Sequence, residues 1–87
     1  MSKIEEVMDG VLDALIESDG TWTAPWGQVL SSLASRVKGE PVLVGETFYH
    51  QTSTAVLRLE AMELVVVDRY YEARSSKANV ITKISLA

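Results

Sequence analysis

Cysteine is absent from the 87 residues, and histidine occurs once. Without thiols there is no disulfide framework and no zinc–thiolate site, so side-chain packing, aided by any partner subunit, has to hold the fold. His50 is the lone imidazole, and the neighbouring Glu46 and Thr47 do not make a nucleophile with an oriented base. Gly39, Gly45 and the acids around them match no phosphate-cradling loop and no metal-ligand spacing. The chain is therefore expected not to be an enzyme and to need no metal or cofactor. No apolar run approaches the ~18 residues of a membrane span. The opening MSKIEEVMDG is acidic and amphipathic, unlike a secretory signal, so a soluble, cytoplasmic protein is expected.

What is present is ordinary for a globular chain: 47% hydrophobic and 23% charged residues, too apolar for intrinsic disorder. A chain this short buries only roughly 60% of its unfolded surface, so one core and a single domain over residues 1–87 are expected. Charge is unevenly divided. Residues 1–46 place eight acids against Lys3, Arg36 and Lys38, whereas residues 47–87 place five bases against four acids, and the last fifteen residues hold no acid. The net charge of −4 argues mildly against a nucleic-acid partner, but the distribution describes an acidic front and a basic end.

Ser2 and Glu5 form a capping-box pair, and Ile4, Val7, Met8, Val11, Leu12, Leu15 and Ile16 recur at helical spacing until Asp19-Gly20. This predicts a first helix over 3–18, with Glu6, Asp9, Gly10, Asp13 and Glu17 on its outer face. That acidic face is read as solvated surface, with docking of a basic protein partner as the other reading. TWT at 21–23 reads as a very short strand. Pro25 in a first-turn position, capped by Thr23 or Ala24, predicts a second helix over 25–37 with Trp26, Val29, Leu30, Leu33, Ala34 and Val37 inward. Trp22 and Trp26 are expected at the core or its edge. Residues 40–51, EPVLVGETFYHQ, keep no sustained period and are expected to form a long loop with room for a strand; His50 reads as a loop residue, with a phosphate or pH-sensitive contact as the lesser reading, and Phe48 and Tyr49 as core plugs, with a dimer surface as the other reading.

TSTAVLRLEAMEL predicts a third helix of about ten residues, capped by its leading hydroxyls, with Val56, Leu59 and Met62 inward. LVVVDRYY and VITKISL are strand-like and are joined by EARSSKAN, which predicts a hairpin with a long tip. In its last strand Val80, Thr82, Ile84 and Leu86 alternate with Ile81, Lys83 and Ser85 and supply the inward face. The fold class expected is α+β.

This element order resembles a winged helix-turn-helix domain, with three helices, a short first strand and a C-terminal β-hairpin as the wing. The specific part is LEAMELV, Leu59 to Val65, which resembles the Leu-Glu-x-x-Gly-Leu-Val pattern that ends the family's recognition helix and leads into the wing. Glu63 stands at the family's glycine, so a left-handed backbone there would carry strain. The connection between the second and third helices is also longer than the family's tight turn.

The resemblance implies a small DNA-binding transcriptional regulator, of a size that suits a phage or mobile element. A recognition helix at about 52–63 would enter the major groove, and a basic wing at 72–79 would meet the backbone or minor groove. The residues implied in DNA binding are Gln51, Thr52, Ser53 and Thr54 near the helix start, Arg58 on its exposed part, and Arg74, Ser75, Ser76, Lys77 and Asn79 at the wing tip. Arg69 and Lys83 are read as flanking the sheet. So few cationic contacts give modest, salt-sensitive affinity from one copy, so a homodimer on double-stranded DNA is part of the expectation. The competing expectation is a winged-helix protein–protein interaction module, for dimerisation or partner binding, without DNA binding. The acidic first half favours it.

Overall fold

The computed structural model describes residues 3–25, 27–71 and 79–87. Three helices and a three-stranded antiparallel sheet follow in the order α1 (Lys3–Glu17), β1 (Thr21–Thr23), α2 (Val29–Lys38), α3 (Thr47–Ala61), β2 (Val65–Tyr71) and β3 (Asn79–Leu86). The strands lie in the order β1-β3-β2, so the last strand is central. Helices on one side and the inner sheet face on the other enclose one core of Val7, Val11, Ala14, Leu15, Val29, Leu33, Ala55, Val56, Leu59, Val65, Val67 and Ile84.

α1 forms where its apolar period predicts and ends at Asp19-Gly20, where both residues take positive φ and the Gly20 N–H donates back to the Leu15 carbonyl at 2.7 Å. The expected Ser2 cap lies outside the described residues. Two positions on α1 depart from the expected faces. Ile16 is 62% exposed, whereas Gly10, expected outside, faces α2: a Cβ built there would lie 2.6 Å from Val37 Cγ1.

α2 starts at Val29, four residues later than the Pro25 signal implies. The Gln28 N–H donates to the Pro25 carbonyl at 2.9 Å and Gly27 holds φ at 75°, so Pro25–Gln28 is a turn and Gln28, not Thr23 or Ala24, is the N-cap. Trp26 lies outside the described residues. Ser32 and Ser35, outside the apolar stripe expected to face inward, are half-buried braces. Trp22 Nε1 donates to Ser32 Oγ at 3.0 Å, which fixes β1 to α2, and the Val42 N–H donates to Ser35 Oγ at 2.9 Å.

The larger correction concerns residues 40–51. The connection closes with the Glu46 N–H donating to the Leu43 carbonyl, Gly45 holds φ at 94°, and the chain is helical from Thr47. Phe48, Tyr49, His50 and Gln51 are therefore helical, and α3 has 15 residues rather than about ten. Individually these are indifferent helix formers; the packing of Phe48 against the core supplies what local propensity does not. At the other end Met62, expected inward, is the C-cap and is 58% exposed.

The two strands of the hairpin form as expected, but β3 carries an extra residue. Asp68 pairs with Lys83 and Arg69 with Ile81, which leaves Thr82 bulged, its hydroxyl donating to the Asp68 carbonyl at 3.2 Å. The inner face of β3 is thus Leu86, Ile84 and Ile81, opposite Val65, Val67 and Arg69, and the simple alternation through Thr82 and Val80 is broken.

Candidate nucleic-acid interface

α3 meets the core through Phe48, Thr52, Ala55, Val56 and Leu59, which recur every three or four residues. Its other side, exposed or half-exposed, presents Thr47, His50, Gln51, Thr54, Leu57, Arg58 and Ala61. Residues three, four and seven apart share a face, so Thr54 lies at the middle of this surface, with His50 and Gln51 one turn before it and Leu57 and Arg58 one turn after.

Gln51, Ser53, Thr54 and Arg58 are thus brought onto one helix. Because α3 starts at Thr47, the first three lie in its second turn rather than at its N-terminus, so they do not offer the terminal N–H groups expected of them. Thr52 is removed from the interface. It is fully buried, and its hydroxyl donates to the Phe48 carbonyl at 2.9 Å, which satisfies the group inside the core. The sequence carried a signal for this, since Thr52 stands four residues before Val56 and seven before Leu59. Arg74, Ser75, Ser76 and Lys77 lie outside the described residues. Asn79 is the first residue of β3, its backbone paired with Tyr71, not a residue of the loop.

Electrostatics separate Arg58 from the other described cations. Arg36 pairs with Glu17, Lys38 with Glu40 at 3.2 Å, Arg69 with Glu60, and Lys83 with Asp68 at 3.5 Å. Lys3 sits 5.8 Å from the centre of the Phe48 ring. Among the described residues, Arg58 alone is a cation with neither an ion pair nor a ring contact. The acid of α3, Glu60, is held by a two-pronged bond from Arg69, Nη1 to Oε2 and Nη2 to Oε1, both 2.7 Å. Those bonds, and the guanidinium charge behind them, lower the Glu60 pKa against a smaller opposing effect of burial. The carboxylate is turned toward β2, and the exposed side of α3 carries no acid.

Two helix N-termini, those of α2 and α3, are also without a side-chain cap bond or an acid in the first turn. Glu46, in the N-cap position of α3, instead accepts the Leu43 N–H at 3.1 Å. On its far side Arg58 borders a groove of about 650 Å³ between α1 and α3, lined also by Glu5, Met8, Asp9, Ala61 and Met62. Leu57 is not among the residues the sequence places at the interface, and His50 reads there as a loop residue with a phosphate or pH-sensitive contact as the lesser alternative. Their spacing from Thr54, three and four residues, was the available sign.

Among the described residues no cluster of His, Cys, Asp or Glu is arranged to hold a metal ion, and no helix is long and apolar enough to cross a membrane. Comparison of the chain with protein-family models, with curated proteins and with solved structures finds no match.

Proposed function

We propose that this chain is a small DNA-binding regulator that sets α3 in the major groove, lays the loop between β2 and β3 against the backbone or minor groove, and acts as a homodimer. The observation that carries the reading is the outer side of α3, where Arg58, which makes no ion pair, stands with Gln51, Thr54 and His50 on a helix face that bears no acid of its own. An unpaired guanidinium on an exposed helix suits phosphate or the N7/O6 edge of guanine. The uncapped start of α2, with no acid in its first turn, suits phosphate oxygens. The β1-β3-β2 order, with α3 leading straight into β2, is compatible with a winged-helix layout. Arg74 and Lys77 supply the further cations in the loop.

Filter-binding titrations of duplex DNA at several salt concentrations test it. Binding is expected near 50 mM salt, and Arg58→Ala is expected to weaken it and to reduce the steepness of log K against log salt by about one unit. No binding at that salt, or binding unchanged when Arg58, Arg74 and Lys77 are all replaced by alanine, overturns the reading.

The groove between α1 and α3 favours a second reading, an interaction module for protein. Its floor of Met8, Ala61 and Met62 is apolar and adaptable, and its rim carries Glu5 and Asp9 opposite Arg58. Under this reading Met62→Lys abolishes self-association or partner capture, and DNA is not bound.

A further inference from the structure

Leu57 is 48% exposed on the same side of α3 as Arg58. A single exposed leucine is unremarkable on a protein surface, but this one is placed among groups suited to reading base edges. Thr54 lies one turn before it, Arg58 follows it, and Arg58 is the described cation with no ion pair or ring contact. An apolar side chain in the major groove meets one apolar feature on the base edges, the C5 methyl of thymine.

We infer that Leu57 determines sequence specificity by packing on thymine methyl groups in the major groove, next to a guanine read by Arg58. This rests on the DNA-binding reading above. Adjacent helical residues point about 100° apart, so Leu57 and Arg58 address neighbouring base pairs rather than one. Thr54 adds a methyl and a hydroxyl on the approach to the same step. The recognised half-site therefore contains thymine beside guanine, and its affinity depends on the thymine methyl itself.

The test uses the full chain and a randomised duplex of about 20 base pairs, enriched for binding at about 50 mM salt. The recovered duplexes are resynthesised with deoxyuridine in place of thymidine, which removes the methyl and keeps every hydrogen-bonding group. The thymidine form is expected to bind roughly fourfold more tightly for each methyl contacted, from the transfer of one carbon out of water. Leu57→Ala is expected to lose that preference while its thermal midpoint is unchanged, and Leu57→Thr, which retains a methyl, to keep part of it. Equal affinity for both duplexes, or an undiminished preference in Leu57→Ala, overturns the inference and leaves DNA binding standing. Failure of any duplex to bind overturns both.

Discussion

Glu63 holds φ at 62° immediately after α3. Its N–H donates to the Glu60 carbonyl and the Leu64 N–H donates to the Leu59 carbonyl, both at 3.0 Å, which is the pair of bonds that closes a Schellman turn. This turn lets an α-helix pass into a strand without a glycine, but a side chain in the left-handed region costs about 1–2 kcal/mol. Glycine relieves the clash and gives back part of the gain as unfolded-state entropy. Glu63→Gly is therefore expected to stabilise the protein by about 0.5–1 kcal/mol, seen as a higher urea midpoint with an unchanged slope. A lower midpoint would mean that the glutamate side chain makes a compensating contact. At the same scale Arg58 stays exposed and makes no ion pair, with Glu5 and Asp9 across the groove from it.

At the scale of elements, the contact of α1 with α2 depends on a residue with no side chain. Glycine inside an exposed helix is worth about 1 kcal/mol less than alanine, so propensity alone makes Gly10→Ala stabilising. The position of Val37 reverses the sign. A Cβ 2.6 Å from Val37 Cγ1 forces the helices apart or turns a β-branched side chain out of its rotamer. Gly10→Ala is expected to destabilise by about 1–2 kcal/mol, and Val37→Ala in the same chain to recover part of that loss, as chemical denaturation of the two single variants and the double variant will show. α1 was legible in the sequence because it has a sustained period and a clear stop, and β1 and both hairpin strands because their β-branched and aromatic residues favour extended chain. The starts of α2 and α3 were not. Pro25 is as compatible with a turn as with a first helical residue, and the TFYH stretch becomes helical because Phe48 reaches the core, which is a tertiary effect. The bulge at Thr82 is a matter of pairing with a distant strand, and no local pattern records it.

Across the whole molecule, the forked Glu60–Arg69 bond ties the helical layer to the sheet, from α3 to β2. Both side chains are partly exposed, 33% for Glu60 and 27% for Arg69, so solvent screening keeps the contribution to about 1 kcal/mol or less. Its pH dependence has a definite sign. A carboxylate whose folded pKa is lowered adds stability that is complete above the ordinary glutamate value of 4.5 and is lost as pH falls through the lowered one. Glu60→Gln is thus expected to be less stable than the parent at about pH 7, with the difference shrinking as pH falls below the ordinary glutamate value, by urea midpoints at each pH. A difference that persists at acid pH would show that shape, not charge, joins the two layers there. This link matters to the candidate interface because it withdraws the acid of α3 from the side that bears Arg58.

The chain by itself determined the number and order of its elements, the acidic front and basic end, and the presence of Arg58 on the third helix, because periodicity, stop signals and charge are written residue by residue. The tertiary structure decided which of the hydroxyl residues at 52–54 are available. Thr52 is buried because the phase of α3 is set by Phe48, Ala55, Val56 and Leu59 packing on the core. It also decided that Leu57 joins Arg58 on the outer side and that Glu60 turns to Arg69. Those outcomes depend on how distant segments pack and pair, and packing between distant segments is not encoded in any one stretch of chain.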